Sequence, residues 1–409
     1  MASELAFVMI NPYTISKSRT GGVIARCIGR TDLDFVAARM YGPSLELVKR
    51  YAESIRKAEP DSQTNQLIAD YVLERYAPNA TSARPHRVML LLFAGEDAVR
   101  KIWQITGNAT RHSPSGQTIR DTYGDYILDS KGELQYFEPA VLAAPTLERA
   151  KNTLRLWAKY GRECGGVVAS ATDVPEGASV ESTLVMLKPD NFRYPSLRAG
   201  NIIDILSRSG LRITGVKKFS MNVAQAEEFY GPVREALAKK FVNIGTARAA
   251  RVLSQEFGFA VPEDDVADLC RRLGPRFAEE QFNSIVEFMT GVSLRQQKDG
   301  PADDKHHSIR RFCSRLTGRW HSEQEPSGEG CLALVYEGVH AVQTIRDILG
   351  PTDPSKAQPG SVRREFGRDI MVNAAHASDS AENAQREMRI IEVQQDTIKP
   401  LVEKYYGGV

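Results

Sequence analysis

His376 sits in the run Asn373-Ala374-Ala375-His376-Ala377-Ser378-Asp379-Ser380. A neutral imidazole is nucleophilic and titrates near physiological pH, so a positioned histidine can accept and return a transferable group. Asp379 and Glu382 have capping-box spacing, which predicts a helix starting here and a rigid loop before it. Upstream, IRDILGPTDPSKAQPGSVRREF gathers Arg346, Thr352, Lys356 and Arg363 near one helix end and the following loop. Guanidinium forks and a hydroxyl suit phosphate oxygens. The sequence has neither a GxxxxGK[ST] loop nor a kinase glycine-rich loop. A nucleotide bound here would therefore be held by side chains and Mg²⁺ rather than by a backbone nest. The competing reading is a hydrogen-bonded structural histidine beside a solvated helix face.

The elements that must position these residues form a repeated pattern. LAFVMINP at 5–12 and STLVMLKP at 182–189 are each an apolar strand, a polar residue and a proline, followed by a helix-forming stretch. GQTIR at 116–120 parallels GSVR at 360–363, and helical stretches at 146–158 and 379–392 close the halves. Residues 161–181, rich in Gly, Ala, Ser and Val, read as a linker. This predicts two related domains, 1–160 and 182–409. In the second half we read strands at 183–188, 211–219, 331–337 and near 370–374, and helices at 198–209, 278–290, 339–349 and from 380. That order fits an antiparallel sheet with helices on one face, an α+β ferredoxin-like (βαββαβ) arrangement in tandem.

MLKPD, LGPTDPSKAQPGSVRREF and NAAHASDSAENAQRE together resemble the three signature stretches of nucleoside diphosphate kinases, in order and in phase. The resemblance covers about 183–230, 282–290 and 331–388. It implies ping-pong transfer of the terminal phosphate of an NTP to an NDP through a phosphohistidine at His376. It also implies that Glu387 orients the imidazole, and that Arg346, Thr352 and Arg363 hold the phosphates. Asn373 would hold the ribose, Lys188 would neutralise the transferring group and touch the sugar, and Tyr230 would lie near it. Ser378 would support the loop. The implied cofactor is Mg²⁺, and no protein metal ligand is assigned. Nucleoside di- and triphosphates are the implied partners, in a homo-oligomer that pairs its two domains within one chain.

The second half departs from that pattern in places. Gln281 falls where the family stacks the base on phenylalanine, with Phe282 one place later, and Ala377 replaces a glycine. Insertions are expected at about 231–278, as roughly four helical segments, and at 291–330. In the latter, Ile309, Phe312, Leu316 and Trp320 recur at helical spacing among Arg310, Arg311, Arg315 and Arg319. Such a helix packs on its own domain or binds a partner, RNA or a membrane surface. His306, His307, Cys313 and His321 match no zinc spacing.

Laid on the first half, the same template puts Asn11 at the lysine position and Trp103 near the first arginine. It retains Arg120 and Thr110 and places Leu142 where the histidine stands. Leucine accepts no phosphoryl group, so the first domain is expected to be a degenerate partner. The alternative for the whole chain is a catalytically impaired nucleotide-binding scaffold or regulatory pseudokinase. A formal net charge of +2 gives no global attraction for nucleic acid, and no apolar run is long enough to span a bilayer. Five scattered cysteines and a start without a leader pattern lead us to expect a cytoplasmic protein.

Overall fold

The computed structural model describes residues 3–111, 113, 115–168, 177–294 and 329–409. They form two compact units, Met1–Phe219 with Gly330–Val409, and Ser220–Glu329. The first half contributes β1 (Ser3–Ile10), α1 (Pro12–Ser16), α2 (Thr20–Gly29), β2 (Asp34–Tyr41), α3 (Leu45–Ala58), α4 (Gln63–Arg75) and β3 (Val88–Glu96). It continues with α5 (Ala98–Thr106), α6 (Ile119–Tyr123), β4 (Asp125–Leu128), β5 (Leu134–Glu138), β6 (Val141–Leu142), α7 (Leu147–Lys159) and α8 (Gly161–Cys164). The second half supplies β7 (Glu181–Leu187), α9 (Arg198–Ser207), β8 (Arg212–Ser220), α10 (Val223–Phe257), α11 (Glu263–Thr290) and β9 (Gly330–Gly338). It ends with α12 (Ala341–Leu349), α13 (Val362–Phe366), β10 (Ala375–Ala377), α14 (Ala381–Ile390) and α15 (Ile398–Tyr406).

The larger unit is a mixed α/β body built on an eight-stranded sheet of order β10-β7-β9-β8-β2-β3-β1-β6. The ladders of β1 with β3 and β6, of β2 with β3, and of β7 with β9 and β10 are antiparallel. Strands of the two halves meet where β2 pairs β8 at Arg39↔Lys217. The central strands are apolar on both faces, with Leu5, Val8, Ile10, Leu90, Leu92, Leu184 and Leu334 fully buried, so both faces carry core. Helices α2 and α9 pack through glycines. A Cβ on Gly200 would stand 2.2 Å from the carbonyl oxygen of Gly21, so no larger residue fits that crossing.

The two halves share local geometry down to single residues. Asp97 and His340 both enter the left-handed region before their helices (φ 56° and 53°), as do Ala140 and Ala374 (φ 58° and 68°). Gly107 and Gly350 end those helices at φ 85° and 79°. On the sheet, Leu142 faces Met9 and Val141 faces Ile10, while His376 faces Met186 and Ala375 faces Leu187. Asn11 N donates to Ala140 O at 3.1 Å, and Lys188 N donates to Ala374 O at 2.9 Å.

Three local expectations are corrected. The last short strand is 375–377 rather than 370–374. Asp369 Oδ1 accepts from the amides of Met371 (2.9 Å) and Val372 (2.7 Å), turning the chain before the strand can begin. His376 thus lies on the strand, not after it. The cap of α14 is Ser380, whose hydroxyl accepts from Asn383 N at 3.0 Å, while Asp379 accepts from the Asn383 side chain at 2.6 Å. In the smaller unit, two long helices replace the four expected segments. Pro232 lies inside α10 and Pro275 inside α11. Proline forgoes one backbone bond, and packing between the helices compensates, with Phe241 stacked on Phe277 at 4.4 Å beside the close approach of Gly274 to Val242.

The predicted basic helix at 307–320 and its neighbouring histidines lie outside the described residues. No helix among the described residues is long and apolar enough to cross a membrane.

Candidate active site

Lys188 follows the end of β7 and is 8% exposed. Its Nζ donates to Asn373 Oδ1 at 2.7 Å and to Met371 O at 3.2 Å. Burial, then the nearby Arg363 charge, push the ammonium down to about 8. Asn373 passes the connection on, donating to Thr352 O (3.1 Å) and Ile370 O (2.8 Å). Arg363, on α13, donates through one terminal nitrogen to Gly350 O at 2.7 Å. Its Nε and other terminal nitrogen reach Ala375 O at 3.3 and 3.1 Å. That fixes the guanidinium between the end of α12 and the strand of His376. Arg346, in the last turn of α12, and Thr352 are exposed, and neither side chain has a hydrogen-bond or ion-pair partner among the described residues.

His376 Nε2 lies 3.0 Å from Glu387 Oε2, and Ser378 Oγ donates to the same oxygen at 2.6 Å. The Glu387 side chain is 6% exposed and the imidazole 22%. Helix α14 turns Ala384, Glu387 and Ile390 inward on one face, which brings the carboxylate beneath the strand. A carboxylate only accepts, so this contact assigns the proton to Nε2 and the lone pair of the neutral ring to Nδ1.

The structure thus joins Lys188, Asn373 and Thr352 in one network and His376, Ser378 and Glu387 in another, with Arg363 bonded to the backbone beside both. Tyr230 belongs to the smaller unit, buried on α10 with its ring 5.0 Å from that of Phe229. Phe282 is buried on α11 with the Arg234 guanidinium 4.0 Å from its ring centroid, so within its own unit that face is covered.

Sequence reasoning missed Asn191. Its Nδ2 donates to the carbonyls of Lys188 (3.0 Å) and Ala374 (2.7 Å), and its Oδ1 accepts from Arg198 Nε at 2.9 Å. This amide ties the lysine loop to the left-handed turn before His376. A polar residue straight after Pro-Asp was the available signal.

The matching place in the first half is filled. Asn11 donates to Glu138 Oε1 (3.1 Å) and accepts from Tyr76 OH (2.6 Å), while Tyr71 OH donates to Glu138 Oε2 (2.6 Å). Burial raises the Glu138 carboxyl above its usual range. Counted from the helix caps Thr146 and Ser380, Leu142, Ala144 and Thr153 stand where His376, Ser378 and Glu387 stand.

Among the described residues no group of three or more His, Cys, Asp or Glu side chains could hold a metal ion.

The family model for nucleoside diphosphate kinase matches residues 181–247 and 305–396. A nucleoside diphosphate kinase of Symbiobacterium thermophilum is 42% identical over 211 residues, 52% of this chain and 86% of that protein. The chain belongs to the nucleoside diphosphate kinase family. Another nucleoside diphosphate kinase, from Staphylothermus marinus, is 27% identical over 213 residues, 52% of this chain and 93% of its own length. The solved structure of the Aquifex aeolicus nucleoside diphosphate kinase is 26% identical and covers 52% of this chain and 95% of its own, at a TM-score of 0.29. Both stretches of the nucleoside diphosphate kinase match lie in the second half, where the His376 network stands.

Proposed function

We propose that the second half is a working nucleoside diphosphate kinase, and that the hydrogen bond from His376 to Glu387 is the observation that carries this reading. With Nε2 held by the carboxylate, Nδ1 is the nucleophilic nitrogen. Its lone pair forms the N–P bond to the terminal phosphorus of an NTP as the P–O bond to the bridging oxygen breaks, and the electron pair leaves on the NDP. A second NDP then attacks the phosphohistidine through its terminal oxygen, and Nδ1 recovers its electron pair. Glu387 balances charge on the ring at each step. Arg346 and Thr352, unpaired and exposed at the end of α12, are the groups free to take phosphate oxygens, with Arg363 beside them. Lys188 compensates charge on the transferring group, and Asn373 holds the ribose hydroxyl. Mg²⁺ carried by the nucleotide would neutralise part of the phosphate charge.

In the same reading the halves are a tandem of ferredoxin-like domains, and the first is a structural partner whose site is plugged by Tyr71, Tyr76 and Glu138. The test is NTP/NDP exchange by the full chain with Mg²⁺. Parallel double-reciprocal lines at varied NTP are expected. A protein that binds nucleotide but shows neither exchange nor labelling is the impaired scaffold instead.

A further inference from the structure

Within the larger unit, where the two halves meet, lies a cavity of about 190 Å³ whose lining includes Thr20 and Arg87 from the first half and Arg212 and Tyr336 from the second. Its wall is rich in donors. Among the described residues Thr20 Oγ1 and Tyr336 OH have no hydrogen-bond partner, and both residues are 1% exposed. Buried hydroxyls left this way are uncommon and call for an explanation. Arg87, 8% exposed, gives one terminal nitrogen to Ile213 O at 2.6 Å, and its other N–H groups have no acceptor among the described residues. The Arg212 side chain is exposed and makes no hydrogen bond or ion pair with the described residues. No carboxylate lines the cavity. The nearest acidic influences come from outside the lining, Glu337 acting on Arg87 and Asp204 on Tyr336. Burial and the like charge of Arg212 lower the Arg87 guanidinium to about 10, the cost that an anion between them would relieve.

From this convergence of two guanidiniums and two unsatisfied hydroxyls, we infer a second ligand site at the seam of the halves, for a single tetrahedral oxyanion of the phosphate class. The volume falls below the roughly 300–1,000 Å³ of pockets for drug-sized ligands, so a whole nucleotide does not fit. Room for about six waters accommodates one phosphate group with a short ester at most. Guanidinium forks supply paired donors to its oxygens, and the two hydroxyls supply the rest. The anion would bridge the halves and stabilise their junction. This site is independent of the kinase reading, since none of its residues belongs to the candidate active site.

The experiment is a titration of the full-length chain's thermal midpoint with orthophosphate, and separately with glycerol 3-phosphate, at constant ionic strength. Native protein is compared with Arg212→Met and, as a second variant, Tyr336→Phe. Any phosphate effect at the kinase site is common to all three. A ligand that binds only the folded state raises the midpoint with the logarithm of its concentration above Kd. Native protein is expected to show a larger, saturable component that both variants lose. Whichever anion produces it at lower concentration identifies free phosphate or an ester as the better ligand. Crystals soaked in selenate should show anomalous density between Arg87 and Arg212. Equal responses in all three proteins to both anions, or an empty cavity in the soaked crystals, overturn the inference.

Discussion

Arg120 and Arg363 are bonded alike. Arg120 donates to Gly107 O at 2.8 Å and, through Nε and its other terminal nitrogen, to Val141 O at 3.3 and 3.0 Å. Arg363 donates to Gly350 O at 2.7 Å and, through the same pair of atoms, to Ala375 O at 3.3 and 3.1 Å. Each guanidinium binds the end of a helix to an edge strand. Their surroundings separate them. Arg120 is 1% exposed, packed on the Trp103 ring, and lowered to about 10 by burial. Arg363 is only half-buried. Arg120→Ala should therefore lower unfolding stability by about 2–4 kcal/mol, from unsatisfied carbonyls and a vacated space, without changing exchange kinetics below the transition. Arg363→Ala should lower exchange roughly 10²-fold or more. Urea denaturation alongside exchange assays reads both, and equal kinetic losses in the two variants would contradict the assignment of one working half.

Glu387 is expected to act through the imidazole. Glu387→Gln replaces a charge-assisted bond worth about 1.5–3 kcal/mol, so kcat should fall roughly 10- to 100-fold. Ser378→Ala should fall less, since it only removes a second donor to the same oxygen. Steady-state kcat for both variants checks the order, and a larger loss for Ser378→Ala would place the important contact elsewhere.

Lys188 gives a pH dependence of determined sign. Its ammonium is lowered to about 8 in the folded protein, below the roughly 10.4 of an unfolded lysine. Between these values the unfolded state binds more protons, so this group makes stability rise with pH across that window. Nucleotide affinity should move the other way, because charge compensation is lost as the amine deprotonates. KM for NDP is expected to rise above pH 8 in native protein and to stay flat in Lys188→Gln. A flat native profile would remove Lys188 from the charge balance.

Asn191 should matter through the loops it joins. Asn191→Ala is expected to lower kcat with little change in KM. Asn191→Thr should recover much of it, because Thr14 Oγ1 already makes the matching bond to Ala140 O at 2.9 Å in the first half. Failure of threonine to rescue, with native stability, would show that the amide does something other than hold the Ala374 carbonyl.

Much of the second half was legible because its strands are apolar runs and its loops carry distinctive residue types. The match of Leu142 with His376 could be set out from FEPAVLAAPTLERAK alone, since the helix caps that follow keep the same spacing. What could not be read depends on contacts distant in sequence. The strand of His376 begins only after Asp369 has turned the chain, and Asn191 becomes informative only when Ala374 comes beside it. Gly231-Pro232 and Gly274-Pro275 look like breaks, yet packing between α10 and α11 carries both helices through them. The plug over Asn11 draws on Tyr71, Tyr76 and Glu138, residues that no local pattern connects.

The most direct measurement is labelling of the full-length protein with γ-labelled ATP and Mg²⁺, followed by mapping of the acid-labile phosphate. One phosphate per chain is expected on His376, absent in His376→Ala and unchanged in Leu142→Ala. Label on another residue, or undiminished acid-labile label in His376→Ala, would contradict it.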